Sequence, residues 1–439
     1  MMDIKAGNFN LGKSISIHIL LIFVLSLLLL IPKLFFDFVL SDRQMMLDSA
    51  LHSITDSWAH EQLIAPPVLA FKGQKTVFTD SDPKNWQKQD VTLFLLPEDV
   101  AVTAKLKGEE RKRGIYNATL YRAQIDMKGS FDLGKLKESV RSLGIESLRL
   151  VDSTPLLYFF LSDAAGIEEV QKLEVNEQSL KAKPGAIKLS NLDSFMAHFD
   201  DDLKETVHFD CSYTVRGSLS FAFRALADSA KLNVEGLNLN PGFKGRFLPS
   251  KREVQDKTFT ANYMLTSLAS GYTDLYLDDI PDFNNDIMID IQDSSQHYTF
   301  IERLSKYALL FIGMTFVTIL AFELVSGKLI SLVQYVTVGA ALLLFYLVLL
   351  SLSEHLSFTL SYSCAAFLMS VLIALYMKAA FKSYKKGITV FLVLVALYII
   401  LYTIVNAQTY ALLLGTGLLV LMLCIVMYIT RHIGEEKTL

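Results

Sequence analysis

Apolar residues gather at the two ends of the chain and leave a long, ordinarily polar stretch between them. The first run, 14–32 (SISIHILLIFVLSLLLLIP), carries no formal charge. About 20 apolar residues rising 1.5 Å each cover the roughly 30 Å hydrocarbon core of a bilayer. Five further runs follow at 307–325, 329–350, 357–377, 387–405 and 409–430. No proline occurs after Pro281, so each of these can be an unbroken helix. The pattern predicts six transmembrane helices, the first over 14–36 and the other five in a bundle over 303–430.

The middle of the chain changes period. Leu47, Leu51, Ile54 and Trp58 recur at i, i+4, i+7 and i+11, which predicts a helical stalk over 37–65 that stops near Pro66-Pro67. A short helix is expected at 134–143, with Leu136, Val140 and Leu143 on one face. Elsewhere alternation takes over: in 217–224 Leu219, Phe221 and Phe223 alternate with small or polar residues, as in a half-buried strand. Similar runs lie at 115–125, 148–161, 231–237 and 258–265. Short strands punctuated by Gly, Asp and Asn predict a β-rich, antiparallel, sandwich-like domain over 66–302.

Charge orients these elements. Lys5 and Lys13 precede the first span, Lys328 lies between the second and third, and Lys378, Lys382, Lys385 and Lys386 separate the fourth and fifth. Arg431 and Lys437 follow the sixth, whereas the connections around Glu354-His355 and 406–408 have neither Lys nor Arg. The positive-inside rule then makes the ends, 1–13 and 431–439, cytoplasmic and the β-rich domain periplasmic. Bulky residues after the first span, Lys33 to Asp37, do not suit signal peptidase, so that span reads as an uncleaved signal anchor.

Composition narrows the function. Hydrophobic residues make up 52% of the chain and the mean hydropathy is +0.36, the average of apolar spans and a polar domain. A net charge of −4 offers no basic face for nucleic acid. Of the three cysteines, Cys364 and Cys424 fall in spans, so Cys211 has no partner for an intrachain disulfide in the middle domain. Neither a zinc helix of the His-Glu-x-x-His type, a nucleophile elbow nor a phosphate loop occurs. The expectation is therefore no catalytic, cofactor-binding or metal site. Asn117-Ala-Thr119 fits a glycosylation acceptor only formally.

Polar residues in or beside the spans are the candidate functional residues, because such groups are costly in lipid. They are Glu323, near the end of the second span and close to Lys328; Gln334 and Tyr335, which open the third; and Glu354 and His355 in the turn before the fourth. The bland expectations are that Glu323 snorkels or pairs with Lys328, and that Glu354–His355 is an interfacial turn with Glu354 capping the fourth helix, or a structural polar contact within the bundle. The sharper ones are a coupling role for Glu323 and a proton relay or headgroup contact at Glu354–His355.

Several segments resemble the CreD family of bacterial inner-membrane proteins. They are 332–346 (LVQYVTVGAALLLFY), 352–362 (LSEHLSFTLSY), 410–415 (YALLLG), 306–311 (KYALLF), Phe322-Glu323, 113–116 (RGIY) and 245–249 (GRFLP). Their order spans nearly the whole chain. Departures lie in the middle domain: Ala65-Pro66 replaces Gly-Pro, 163–166 lacks an arginine, and 238–243 lacks a tryptophan. The resemblance implies a Gram-negative inner-membrane protein tied to cell-envelope integrity, often under an envelope- or carbon-responsive two-component system. It implies no reaction and no catalytic residues.

Two functions from different classes follow. One is a non-enzymatic envelope factor whose periplasmic domain binds envelope proteins or cell wall, with membrane lipids around its spans. The alternative is a lipid or small-solute transporter built on the five-helix bundle, against which stands the lack of Gly- or Pro-broken spans. An intramembrane enzyme using Glu354 and His355 is a third, weaker reading. The oligomeric state is not legible in the sequence.

Overall fold

A computed structural model of the chain describes residues 11–78, 86–134, 136, 140, 148–151, 154–190, 192–199, 205–291, 296–326, 330–407 and 411–430. It contains two compact units: a helical one, Met1–Asp48 with Ser295–Leu439, and a β-rich one, Ser49–Ser294.

Two sheets make up the β-rich unit. In the eight-stranded sheet the order is Lys251–Gln255, Thr258–Thr266, Ser229–Leu237, Asp99–Arg113, Tyr116–Asp132, Thr206–Ser218, Ile167–Val175 and Gln178–Ser179. The path of the second sheet runs Gly242–Gly245, Ile287–Asp290, Ser220–Phe223, Gln62–Ile64, Leu156–Leu161, Val68–Phe78, Trp86–Leu95 and Leu275–Leu277. Alternation puts Val100, Val102, Ala104 and Leu106 of one strand beside Tyr121, Ala123, Ile125 and Met127 of the next. These pack with Leu69, Phe71, Leu93, Phe159 and Leu161 of the other sheet in one buried cluster.

The sheets are mixed rather than antiparallel throughout. Ser229–Leu237 pairs in parallel with Asp99–Arg113, and Gln62–Ile64 in parallel with Ser220–Phe223. Local alternation cannot reveal this, because parallel neighbours are joined by long crossovers. The second sheet is also covered on its other face, where Val68, Ala70, Phe94, Tyr158 and Phe160 pack with Leu226, Tyr272 and Ile280. Burial on both sides explains the nearly continuous apolar run of Leu156–Leu161.

The strand expected at 217–224 is broken. The chain leaves the eight-stranded sheet at Ser218 and enters the other at Ser220, turning on Leu219 at φ 61°. Gly217 lets the Tyr121 ring close on this corner, since a Cβ there would come 2.4 Å from it. The Tyr121 hydroxyl donates to the Ser220 carbonyl at 2.8 Å, tying the corner together. The run 148–161 divides into Arg149–Leu150 and Leu156–Leu161, and 115–125 lengthens into Tyr116–Asp132. Most of the helix expected at 134–143 lies outside the described residues. Cys211 is buried in the core, and burial pushes its thiol well above the ordinary range.

The stalk helix, Leu30–Trp58, ends earlier than Pro66-Pro67. Its last residue meets the guanidinium groups of Arg111, Arg122 and Arg216 at 5.3, 4.9 and 5.2 Å from the Trp58 ring. Beyond it the Ser218 hydroxyl donates to the Ala59 carbonyl at 2.8 Å and Gln62–Ile64 is already a strand. Tertiary partners therefore stop the helix before proline can.

In the helical unit, Leu20–Trp58 begins a span, and Leu332–Ser353, Phe358–Phe381 and Tyr384–Asn406 are each long and apolar enough to cross a membrane. An amphipathic helix, Gln296–Lys306, buries Tyr298, Ile301 and Leu304 and exposes Glu302 and Lys306. It joins Ala308–Ser326 at a 51° bend, and the bent pair supplies a fifth candidate. Ala411–Thr430 is a further helix of 20 residues.

Candidate functional site

Ionisable side chains in membrane helices are costly and generally face protein. Here several of them gather at three points along the N-terminal helix. His18 and Asp37 on this helix are about 28 Å apart at 1.5 Å per residue, close to the thickness of a hydrocarbon core. Polar contacts thus bracket an apolar span instead of interrupting it.

At the first point Glu323, from Ala308–Ser326, is almost wholly buried. Its Oε2 lies 3.3 Å from Nε2 of His18, and its Oε1 accepts the backbone N–H of Ile330. The Tyr335 ring stands edge-on to His18 at 6.1 Å and to Phe316 at 5.3 Å. Glu323 does not snorkel, because the returning chain and a neighbouring helix satisfy it in place. Lys328 lies outside the described residues.

Gln334 has a local task. Its side-chain oxygen accepts the Ser331 N–H at 3.1 Å while the Ser331 hydroxyl accepts the Val333 N–H at 3.3 Å, a reciprocal cap for Leu332–Ser353.

The second point is Asp37, which receives the Lys33 ammonium and the Ser305 hydroxyl, each at 2.5 Å. Phe36 packs on Tyr346 at 5.6 Å, leading into buried Phe345, Tyr362 and Tyr398. The Tyr362 hydroxyl donates to the Tyr398 carbonyl at 2.7 Å.

The third point is Glu354, which lies 3.8 Å from Nε of Arg43 and 3.5 Å from the Tyr298 hydroxyl. Glu354 is the C-cap of Leu332–Ser353, and Ser357 stands at the N-cap of Phe358–Phe381. The expected capping of the fourth helix by Glu354 is therefore corrected. His355 is exposed and its N–H donates to the Leu352 carbonyl at 3.1 Å.

The structure brings Glu323 and Tyr335 to the same His18 and leaves Gln334, Glu354 and His355 in separate roles. Sequence reasoning missed Asp37, Ser305, Arg43 and Tyr298, and gave His18 no role. His18 did carry a signal, as the lone ionisable residue inside an apolar run. Among the described residues no group of three or more His, Cys, Asp or Glu is placed to hold a metal ion.

Replacing Glu323 by alanine is expected to destabilise the helical unit by roughly 2–3 kcal/mol, since it removes the acceptor from buried donors. A cycle with His18→Ala should show a coupling of about 1 kcal/mol in the detergent-solubilised protein. Strict additivity would mean that the two side chains do not act as a pair.

A family model described as "Inner membrane protein CreD" matches residues 14–434. The chain belongs to the CreD family. The inner membrane protein CreD of Escherichia coli (strain K12) is 26% identical over 417 residues, covering 93% of this chain and 90% of the relative. As a CreD-family protein with several apolar helices, this is a multi-pass protein of the bacterial inner membrane. Among solved structures, native yeast LTA4 hydrolase is 6% identical at a TM-score of 0.19, covering 45% of this chain and 29% of its own. Its bestatin complex is 7% identical at 0.19, covering 48% and 35%. Likeness at that level carries no argument about fold or activity for this CreD-family chain.

Proposed function

We propose that this CreD-family protein supports cell-envelope integrity, as a stress-response factor without catalysis of its own. In this reading six helices cross the membrane, both ends are cytoplasmic, and the β-rich unit is a periplasmic interaction module. Among the described residues, the candidate polar side chains of the helical unit are engaged in helix caps and helix–helix pairs, or exposed in a turn in the case of His355. That favours anchorage over transport.

The observation that carries the interaction reading is the free edge of the eight-stranded sheet. Among the described residues Lys251–Gln255 pairs only with Thr258–Thr266, and all five of its residues are exposed. Val254 is 51% exposed and nearby Leu248 66%, so the edge offers apolar contact beside its open backbone groups. An open edge accepts an extended segment by strand addition, and Lys251, Arg252 and Glu253 guard it against indiscriminate pairing. Such an edge suits a segment of an envelope protein better than a wall glycan.

The test is in-cell photo-crosslinking from Val254, with exposed Asn117 on another strand as control. Capture of one envelope protein from Val254 and not from Asn117 is the expected result. Capture of lipid alone, or identical capture from both positions, would overturn the module. A cysteine at Val254 should also react with an impermeant maleimide applied to spheroplasts, and protection there would overturn the periplasmic placement.

A further inference from the structure

The junction of Phe358–Phe381 and Tyr384–Asn406 concentrates positive charge with no described carboxylate paired to it. Lys378 in the last turn of one helix, Lys382 between the two, and Lys385 and Lys386 in the first turn of the next lie there, and the chain has no Asp or Glu between Glu354 and Glu435. None of the four forms an ion pair with a described carboxylate. Two of them rest on aromatic rings instead. Lys378 Nζ lies 3.5 Å from the centroid of Tyr384 and Lys386 Nζ 4.7 Å from that of Phe381.

The backbone holds this group in a fixed form. Lys382 adopts φ 52°, and its N–H donates to the Ala379 carbonyl at 3.3 Å. The Ser383 N–H donates to the Lys378 carbonyl at 3.2 Å. Gly387 lets the two helices close on each other, since a Cβ there would come 2.7 Å from the Lys378 Cβ. Ser383 sits at the N-cap without a side-chain cap bond, so the positive end of the helix adds to the lysines.

We infer that this turn binds the phosphodiester headgroup of an anionic membrane lipid. Lys382, Tyr384 and Lys385 are exposed, and exposed Leu375 and Ile388 continue the surface along the two helices. Charge at the turn and apolar side chains along the spans match an amphiphile, with headgroup on the lysines and acyl chains on the helices. A soluble anion would use only the first half of that surface. The site stands independently of the proposed envelope role, since it needs only a membrane-embedded chain.

The full-length protein is reconstituted in nanodiscs of mixed phosphatidylglycerol and phosphatidylcholine, and its bound lipid is read by native mass spectrometry. A lysine near an anionic surface contributes about 1 kcal/mol, or roughly fivefold in partition. The triple variant K382Q/K385Q/K386Q is expected to lose phosphatidylglycerol enrichment at least tenfold. The exposed single change Lys385→Gln should lose about fivefold, which guards against a folding failure in the triple variant. The arginine triple variant should keep the enrichment. Unchanged enrichment in the glutamine variants would overturn the site, as would equal loss in the arginine variant. Competition by inorganic phosphate as effective as that of phosphatidylglycerol would overturn the lipid as ligand.

Discussion

Replacing Arg224 by methionine is expected to destabilise the β-rich unit by about 3–5 kcal/mol, the cost of breaking a buried ion pair from one side. The Arg224 side chain is only 4% exposed. Its Nε and Nη2 reach the two carboxylate oxygens of Asp286 at 2.8 and 2.9 Å, and Nη2 also donates to Asp282 at 2.9 Å. Burial works against the charge, but the Asp286 and Asp282 carboxylates outweigh it and hold the guanidinium pKa above its usual range. Without it, Asp286, itself 15% exposed, keeps a charge with no partner. Lysine supplies the charge but not the planar fork, so Arg224→Lys should recover only part of the loss. Trp58 and Trp86 are the only tryptophans and both belong to the β-rich unit, so denaturation followed by fluorescence reports on it. A change below 1 kcal/mol for Arg224→Met would sink the argument.

Phe159→Ala should cost about as much, roughly 3–5 kcal/mol, by a different route. Phe159 is buried between the sheets, stacked on Phe195 at 4.6 Å with 1° between the rings. Tyr213 meets Phe195 edge-on at 5.6 Å and Phe159 at 6.5 Å. Phe159 and Phe195 are cross-strand partners, so the backbone pairing between Leu156–Leu161 and Asp193–His198 holds the gap open. The site cannot collapse, and the lost contacts add to the lost transfer energy. Phe159→Leu should retain most of the stability. If alanine and leucine cost the same, packing volume is not what the ring supplies.

Much of this architecture was legible in the sequence because it is local. Span length depends on the count of apolar residues against bilayer thickness, and runs such as 357–377 and 387–405 land on Phe358–Phe381 and Tyr384–Asn406. Period-2 alternation at 231–237 and 258–265 likewise matches Ser229–Leu237 and Thr258–Thr266. The first break came at Leu219, where alternation continues across a residue at φ 61° and hides a change of sheet. The stalk's end at Trp58 was hidden too, because three arginines from distant strands surround that ring.

The candidate site shows the same division. Gln334 was findable as a cap because its partner Ser331 is three residues away. The contact of Glu323 with His18 was not, since His18 arrives from the other end of the chain. Glu354 and His355 are adjacent in sequence but take separate roles, one capping a helix beside Arg43 and the other exposed.

By itself the sequence determined that apolar runs of membrane-spanning length flank a β-rich domain, because hydrophobic length and side-chain period act within each segment. Only the tertiary structure decided the parallel strand pairs, the corner at Leu219, the Arg224 bridge and the pairing of His18 with Glu323. Each of these joins groups far apart in the chain, and their partners are chosen by which buried charges and backbone edges must be satisfied once the segments pack.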